Sequence, residues 1–226
     1  MLISGFDKVT LLNYPGLVAC TIFTKGCNLK CPFCHNSSLI SGNDDTYIDE
    51  DEIFKYLNKR KNIIEGVCIS GGEPLLQKDI KEFIRKIKSL GLKVKLDTNG
   101  TNPDLILSLI NDNLLDYIAM DIKNIKSKYE LTSGAKVKID NILKSINIIE
   151  NSGIDYEFRT TIIKEFHTLS DIDYISKKLD KKSKYYIQNF VKSDAVLDKN
   201  LHSFTSDELK EMKQILNNEN IIFRDL

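Results

Sequence analysis

The sequence lacks any apolar run long enough to cross a bilayer, which takes about 20 consecutive residues. It also lacks an excess of charge of either sign, because 32 Lys and Arg residues balance 32 Asp and Glu residues. The first residues carry Asp7 and Lys8 inside an apolar stretch, unlike the layout of a signal peptide. These features give no whole-protein reason to expect membrane or nucleic-acid binding, and they predict a cytoplasmic protein.

Linker-like segments and a paired set of cysteines are missing too. No low-complexity stretch and no Pro- or Gly-rich boundary divides the chain, so we expect one domain over residues 1–226, with 42% hydrophobic residues for its core. The five cysteines are an odd number, and Cys27, Cys31 and Cys34 lie within eight residues. That is a poor disulfide framework, and in a reducing cytosol it indicates metal binding or catalysis.

Short apolar runs alternate with longer amphipathic segments along the chain. The runs predict strands over residues 18–24, 66–70, 93–97, 117–122, 156–163 and 184–188. Apolar residues at helical spacing predict helices over residues 48–63, 78–90, 104–111, 138–151, 169–179 and 205–217, and residues 221–223 could add a terminal strand. This alternation predicts an α/β fold with a parallel sheet, and six units indicate a partial (β/α)6 TIM-like barrel.

Polar and small residues follow several of the predicted strands directly. Cys27 follows the first strand, GGEP (residues 71–74) the second, DTNG (residues 97–100) the third, and Asp121 with Lys123 the fourth. In parallel α/β sheets the chemistry gathers at the carboxyl ends of the strands. The placement therefore predicts a functional site there, independently of any single motif.

The clustered cysteines have the spacing C-x3-C-x2-C within GCNLKCPFCHN, residues 26–36, which we call the cysteine loop. Three thiolates from one loop can hold three irons of a cubane cluster and leave the fourth iron open. Other sites fit parts of the motif: a haem c attachment at Cys31-Pro-Phe-Cys34-His35, a Cys3His zinc site, and a thioredoxin-like pair. The haem and redox-pair interpretations leave Cys27 without a role, and adjacent Cys34 and His35 would struggle to reach one tetrahedral ion.

The cysteine loop, followed in order by ISGGEP, DTNG and MDIK, resembles the radical S-adenosylmethionine (SAM) superfamily, and most of all its glycyl-radical-enzyme activating branch. The opening segment GFDKVTLLNYPG is similar to activating proteins of anaerobic ribonucleoside-triphosphate reductase. The resemblance runs from about residue 5 to residue 190. It implies one radical SAM domain, with a core over about residues 16–190 and a C-terminal helix and strand within residues 191–226.

The resemblance implies a radical SAM oxidoreductase. Cys27, Cys31 and Cys34 would hold a [4Fe–4S] cluster that cleaves SAM reductively, and the resulting 5′-deoxyadenosyl radical would take a Cα hydrogen from a glycine of a partner glycyl radical enzyme. The expected partner is anaerobic ribonucleoside-triphosphate reductase, with a flavodoxin- or ferredoxin-type electron donor. Two alternatives stay open: activation of another glycyl radical enzyme such as pyruvate formate-lyase, and radical chemistry on a small molecule.

The other motifs would form the SAM pocket. Gly71, Gly72 and Glu73 match the motif that receives the SAM amino group, although alone they would indicate a simple strand-ending turn. In pyruvate formate-lyase activating enzymes, residues similar to a further set line the pocket, namely Asp97, Thr98, Asn99, Asp121 and Lys123. Three members of this set, Asp97, Thr98 and Asp121, would also match a monovalent-cation site.

Three more residues are candidates that have ordinary structural alternatives. Arg159, alone on an apolar strand, would either form an ion pair or contact SAM. Phe33 would pack near the adenine or shield the site. His35 and Asn36 match a pair that follows the third cysteine in activating enzymes, where a histidine more readily supports the loop by hydrogen bonding than performs acid–base chemistry.

The sequence also departs from the pyruvate formate-lyase activating enzymes. They have a histidine near the end of the sixth strand, where this chain has Gln188, and this weakens the assignment to that branch. A second cysteine cluster is missing from the sequence, which excludes relatives with inserted ferredoxin domains. Cys20 and Cys68 lie in apolar runs and are expected in the core. His167 and His202 receive no role.

Overall fold

The computed structural model describes residues 1–41 and 47–224. Its strands form one sheet in sequence order: β1 (Ile3–Thr10), β2 (Ala19–Thr24), β3 (Gly66–Gly71), β4 (Lys93–Thr98), β5 (Tyr117–Asp121), β6 (Asp155–Ile162), β7 (Tyr185–Asn189) and β8 (Ile221–Phe223). β1 is antiparallel to β2, and all pairs from β2 to β8 are parallel. This is the α/β fold with a parallel, partial-barrel sheet that the sequence predicts.

Helices connect the parallel strands. They are α1 (Ser37–Ser41), α2 (Glu50–Arg60), α3 (Ile80–Ser89), α4 (Pro103–Asn111), α5 (Tyr129–Ser133), α6 (Ile139–Glu150), α7 (Leu169–Lys178) and α8 (Ser206–Leu216). Each predicted strand and helix forms, with bounds that differ by three residues at most. Local chemistry explains the starts of α7 and α8, where Thr168 and Thr205 form capping boxes with Asp171 and Glu208.

Three elements, β1, α1 and α5, were not predicted from the sequence. β1 is an edge strand, and an edge strand is covered less than a central one. Its Asp7 and Lys8 are therefore exposed, and Gly5 interrupts its apolar pattern. α1 and α5 are each five residues long, too short for a helical period to show. β8 also forms, so the sheet has seven parallel strands, one more than six units require.

The main core lies between the sheet and the helices. α3 illustrates how the sequence builds it, since Ile80, Phe83, Ile84 and Ile87 recur at helical spacing and are all buried. Each such side chain contributes roughly 1.5–3 kcal/mol of transfer free energy. Within the described part of the chain, no helix is both long and apolar enough to cross a membrane.

A second, smaller apolar cluster lies at the carboxyl ends of the strands. It joins the cysteine loop to the segment after β7, residues 190–204, which we call the strap. The buried residues of this cluster are Leu29, Cys31, Phe33, Ile163, Phe190, Val196 and Leu201. The strap therefore lies across the cysteine loop. After the strap, the chain forms α8 and then β8, the last strand of the sheet.

Candidate active site

The predicted site residues meet at the carboxyl ends of the strands, where they line one cavity of about 270 Å³. The lining includes all of them except Glu73, namely Cys27, Cys31, Phe33, Cys34, His35, Gly71, Gly72, Asp97, Thr98, Asn99, Asp121, Lys123 and Arg159. Gln188 lines the cavity too, as do Ser70 and Thr161, to which the sequence analysis gave no role. Strand periodicity could have found Thr161, because side chains two residues apart on a strand, here Arg159 and Thr161, share a face.

Backbone contacts hold the cysteine loop from two sides. The Lys30 N–H donates to the Ser133 carbonyl of α5 at 2.9 Å, and a Cβ on Gly134 would lie 2.1 Å from the Lys30 carbonyl oxygen. From the other side, the Asp198 N–H of the strap donates to the Pro32 carbonyl at 2.9 Å. α5 therefore needs a glycine at position 134 in order to lie against the loop.

Gly71 and Gly72 bring the end of β3 against the start of the cysteine loop. Gly71 has a φ of +110°, and a Cβ there would lie 2.3 Å from the Thr24 nitrogen. A Cβ on Gly72 would lie 2.1 Å from the Gly26 carbonyl oxygen, which accepts a hydrogen bond from the Glu73 N–H at 2.8 Å. Both glycines are thus required by a close approach between two backbone segments of this chain.

The Glu73 side chain is buried behind the cavity wall, with 1% of its surface exposed. Its carboxylate accepts hydrogen bonds from the Leu75 N–H at 3.1 Å, the Thr98 hydroxyl at 2.8 Å and the Asn99 N–H at 2.7 Å. Burial raises the pKa of Glu73 to about 7, against the lowering effect of these bonds. The resemblance implies that this carboxylate lies beside the SAM amino group. In the structure, the carboxylate instead accepts hydrogen bonds from Thr98 and Asn99 at the turn after β4.

Oppositely charged side chains form one wall of the cavity. Arg159 Nε lies 2.8 Å from Asp121 Oδ1, and its Nη1 lies 3.4 Å from Asp97 Oδ2. Lys123 Nζ lies 3.1 Å from Asp121 Oδ2, and buried Lys95 is a further partner of Asp97. Burial raises the pKa of Asp121, but Arg159 and Lys123 outweigh it and hold that pKa well below the usual range.

Arg159 therefore forms an ion pair, which is one of the two roles that its sequence context allows. Its guanidinium bridges Asp97 and Asp121, the two carboxylates that the resemblance assigns to a monovalent-cation site. A cation bound by both carboxylates would have to compete with that guanidinium. Arg159 lines the cavity as well, so the ion pair leaves it in a position to face a ligand.

Comparison with known proteins identifies the family. The model of the radical SAM superfamily matches residues 21–175. The chain belongs to the radical SAM superfamily. One relative, MJ1227 of Methanocaldococcus jannaschii, is provisionally named a glycyl-radical enzyme activating enzyme, and it is 34% identical over 100% of this chain and 96% of its own length.

Other radical SAM relatives match less fully. The pyruvate formate-lyase-activating enzyme of Clostridium pasteurianum is 27% identical over 78% of this chain and 74% of its own. The GTP 3′,8-cyclase of Synechocystis is 28% identical over 67% of this chain and 47% of its own. Streptococcus suis SuiB bound to S-adenosylmethionine shares the fold, with a TM-score of 0.68 at 18% identity over 88% of this chain. This chain spans about half of SuiB, 47% of its length.

Radical SAM enzymes use a [4Fe–4S] cluster and SAM, and the donor set here fits such a cluster. Within residues 1–41 and 47–224, no three His, Cys, Asp or Glu side chains surround a single metal position, as a zinc site would require. A cubane cluster instead takes one thiolate per iron. Burial raises the pKa of Cys27, Cys31 and Cys34, and iron would offset this because a coordinating thiol is deprotonated outright.

Three residues of the cysteine loop have neighbours that bear on their alternatives in the radical SAM site. Phe33 is buried in the apolar cluster beneath the strap, which is a shielding arrangement. His35 is exposed, and its Nδ1 lies 3.2 Å from the Ser193 hydroxyl of the strap, which is a loop-supporting arrangement. Asn36 donates to the Gly71 carbonyl at 3.3 Å and so joins the loop to β3.

His167 has a positioning role that the sequence did not reveal. Its buried Nδ1 accepts a hydrogen bond from the Ile163 N–H at 3.2 Å, so Nε2 carries the proton and donates to the Lys123 carbonyl at 2.8 Å. Burial lowers the pKa of His167 and favours this neutral form. The ring therefore fixes the backbone of the residue whose ammonium lines the cavity.

The remaining cysteines and histidine lie away from the cavity. Cys20 and Cys68 are fully buried in β2 and β3, as expected for core residues. Burial raises the pKa of Cys20 to about 12, so this thiol stays protonated. His202 pairs with Glu165 at 2.6 Å near the protein surface.

Proposed function

We propose that this radical SAM enzyme activates a glycyl radical enzyme by removing a Cα hydrogen from one glycine of that partner. The match to MJ1227 carries the proposal, because it extends over all of this chain and 96% of the relative. Because this similarity extends over nearly the full length of both proteins, it concerns the whole protein and not a shared core alone. The similarity to the GTP 3′,8-cyclase covers 47% of that relative and is better explained by a shared core.

Anaerobic ribonucleoside-triphosphate reductase is the proposed partner. The supporting feature is the opening segment GFDKVTLLNYPG, which contributes most of β1 and the turn that follows it. Gln188 lines the cavity where pyruvate formate-lyase activating enzymes have a histidine, and this disfavours pyruvate formate-lyase as the partner. The electron is proposed to come from a flavodoxin- or ferredoxin-type protein.

The cavity residues divide into iron ligands and SAM contacts in this proposal. Cys27, Cys31 and Cys34 would hold the cluster through their thiolates and would leave one iron without a protein ligand, open to SAM. When bound, the cluster and SAM supply the radical that removes the hydrogen. SAM is bound and oriented by the rest of the lining, chiefly Phe33, His35, Gly71, Gly72, Asp97, Thr98, Asn99, Asp121, Lys123 and Arg159. Glu73 supports these residues indirectly, because its carboxylate accepts a hydrogen bond from the Asn99 N–H in the turn after β4.

The iron ligands are tested one at a time. Cys27→Ala, Cys31→Ala and Cys34→Ala should each lose the EPR signal of the reduced cluster and all cleavage of SAM. Cys20→Ala, in the core of β2, should keep about four irons per chain after anaerobic reconstitution. A full cluster in a variant that carries all three of these substitutions would refute the ligand assignment.

The reaction is tested with a partner carrying deuterated glycine. Reductant, SAM and anaerobic ribonucleotide reductase should yield 5′-deoxyadenosine that contains deuterium, together with the EPR doublet of a glycyl radical in the partner. The same assay with pyruvate formate-lyase tests the partner assignment. SAM cleavage that ignores both proteins and responds to GTP would overturn the proposal in favour of small-molecule chemistry.

A further inference from the structure

A buried carboxylate that does not line the cavity lies beside the Arg159 guanidinium. Glu157 Oε1 is 3.8 Å from Arg159 Nη1, whereas Asp121 and Asp97 lie 2.8 Å and 3.4 Å from the same guanidinium. Glu157 has 1% of its surface exposed and is absent from the cavity lining. Arg159 is therefore shared between two carboxylates of the cavity wall and one buried carboxylate.

The geometry of the strands explains this arrangement. Glu157 and Arg159 are two residues apart on β6, so their side chains lie on one face of the sheet. The register of the sheet aligns Asp97 of β4, Ala119 of β5 and Glu157 of β6 in one row. The small side chain of Ala119 separates the two carboxylates of this row. Both carboxylates lie within ion-pair distance of Arg159 Nη1, so they compete for it.

Arg224, which directly follows β8, holds the Glu157 carboxylate. Its Nη2 lies 2.8 Å from both carboxylate oxygens, and the Tyr117 hydroxyl donates to Oε2 at 3.0 Å. The Arg224 guanidinium also lies over the Tyr186 ring, 4.3 Å from its centroid. Its backbone N–H donates to the Ile187 carbonyl at 3.0 Å. Contacts of both its backbone and its side chain therefore fix the position of Arg224.

Each of the three carboxylates around Arg159 is paired with one further cation. The pairs are Asp97 with Lys95, Asp121 with Lys123, and Glu157 with Arg224. Within the part of the chain that the structure describes, the cations paired with Glu157 are Arg224 and Arg159. Opposite charges attract strongly where water is excluded, so a loss of Arg224 would leave Arg159 as the cation that Glu157 attracts.

We propose that Arg224 is a positioning residue of the SAM site, which neutralises Glu157 and so keeps the Arg159 guanidinium at the cavity wall to face the carboxylate of SAM. Without Arg224, Glu157 draws Arg159 away from Asp121, and the cavity loses a cation. Arg224 lies outside residues 21–175, which match the superfamily model, so this role belongs to the C-terminal segment and not to the matched core. The inference rests on the proposed contact between Arg159 and SAM.

The test removes the two partners of one ion pair separately. Arg224→Gln leaves the Glu157 charge free to attract Arg159. SAM affinity, measured by anaerobic calorimetric titration of the reconstituted protein, should then fall roughly two- to tenfold, as for the loss of one hydrogen bond. Glu157→Gln breaks the same pair but removes the competing charge, so it should bind SAM at least as tightly as the wild type. A purely structural pair would give both variants the same loss of affinity, and that result would overturn the proposal.

The double variant separates repositioning of Arg159 from general damage. Arg224→Gln combined with Glu157→Gln removes both charges, so SAM affinity should recover to within about twofold of the wild type, although two changes have been made. A double variant that binds SAM as weakly as Arg224→Gln would overturn the proposal.

Arg224→Lys serves if Arg224→Gln does not fold, because it keeps the positive charge beside Glu157. A lysine lacks the planar guanidinium, so the SAM affinity of this variant should lie between those of the wild type and Arg224→Gln. Adding Glu157→Gln should restore it. Wild-type affinity in both single Arg224 variants would overturn the proposal.

Iron content and a distant ion pair provide the controls. The Arg224 variants should hold the wild-type amount of iron, and iron loss would overturn the proposal, because the effect is assigned to Arg159 and not to the cysteine loop. Asp116→Asn breaks a pair with Lys88 before β5 and should leave SAM affinity unchanged. If the wild type bound no SAM, the proposed function would fail. If the wild type and Arg224→Gln bound SAM equally well, the inference on Arg224 alone would fail.

Discussion

The Glu73 carboxylate accepts a hydrogen bond from the Asn99 N–H at 2.7 Å, and this bond ties the end of β3 to the turn after β4. The Thr98 hydroxyl, 2.8 Å from the same carboxylate, adds a second tie. Glu73 therefore shapes the cavity from behind its wall, because it holds the turn whose side chains line the cavity.

We expect Glu73→Ala to weaken SAM binding by roughly ten- to a hundredfold, because the buried donors of Thr98 and Asn99 lose their acceptor and the turn loses its shape. Stability should fall by about 2–5 kcal/mol. Calorimetric titration with SAM and urea unfolding measure the two effects. Glu82→Ala, on the exposed face of α3, is the control. Equal SAM affinity in both variants would show that the turn does not depend on Glu73.

The same carboxyl group should make stability depend on pH. Burial raises its pKa from the ordinary 4.5 to about 7, so between these values the folded protein binds a proton more readily than the unfolded chain does. The free energy of unfolding should therefore fall as pH rises from about 4.5 to about 7, by about 3 kcal/mol at most from this group. Urea unfolding of metal-free protein across this range should show a flatter profile for Glu73→Gln than for the wild type, and identical profiles would contradict the assignment.

Gly72→Ala should reduce the iron content as well as SAM binding. Its Cβ would lie 2.1 Å from the carbonyl oxygen of Gly26, next to the first cysteine, so the start of the cysteine loop must move. Gly91→Ala is the control, because a Cβ at Gly91 has open space around it; the positive φ of Gly91, which Gly72 lacks, means that this control carries backbone strain without a collision. Iron analysis after anaerobic reconstitution should give a full cluster for Gly91→Ala and a partial one for Gly72→Ala. A full cluster in both variants would mean that the cysteine loop moves to make room for the Cβ without losing iron.

Sequence patterns were enough to place the site because strand periodicity and motif order locate the carboxyl end of each parallel strand. They located the cysteine loop, the GGEP turn and the DTNG turn at one end of the sheet, where the structure brings them together. They could not show side-chain direction within a turn. Glu73 illustrates this limit, since its position in the motif was predicted, but the donors around its carboxylate were not: they are the Leu75 and Asn99 N–H groups and the Thr98 hydroxyl.

Contacts made by isolated residues were also beyond the sequence. His167 lies in no repeating pattern, and its role depends on the hydrogen bond to the Lys123 carbonyl, which forms only when the ends of β5 and β6 come together. The requirement for glycine at position 134 could not be predicted for the same reason. A Cβ at this position would collide with the Lys30 carbonyl, about a hundred residues earlier in the chain. Such contacts require the tertiary structure.

Arg159→Gln should make SAM binding sensitive to monovalent cations. The change leaves Asp97 and Asp121 without their shared guanidinium, and a small cation can take its place. We expect tighter SAM binding in potassium chloride than in choline chloride for the variant, and no difference for the wild type. Removing one partner of a buried ion pair should also cost about 3–5 kcal/mol. Lys177→Gln, at an exposed pair with Asp173, is the control. A potassium effect in the wild type would instead support a cation bound beside Arg159.

The strap should protect the cluster from oxygen. Leu201 is 3% exposed and belongs to the same apolar cluster as Phe33 of the cysteine loop, whereas Leu197 of the same segment is 54% exposed. Leu201→Ala should weaken this packing by about 2–5 kcal/mol and open the strap more often. In air, the visible absorbance of the reconstituted cluster should then decay several-fold faster than in the wild type, and Leu197→Ala should decay at the wild-type rate.

Iron content separates shielding from assembly in this experiment. If the strap only shields the cluster, Leu201→Ala reconstituted without oxygen should carry the wild-type amount of iron, because the three thiols and the backbone contacts of α5 are unchanged. Iron loss under anaerobic conditions would mean that the strap is needed to form the loop. A wild-type decay rate in air for fully loaded Leu201→Ala would show that the strap does not limit access of oxygen, since the loosened packing would then have exposed nothing that oxygen could reach.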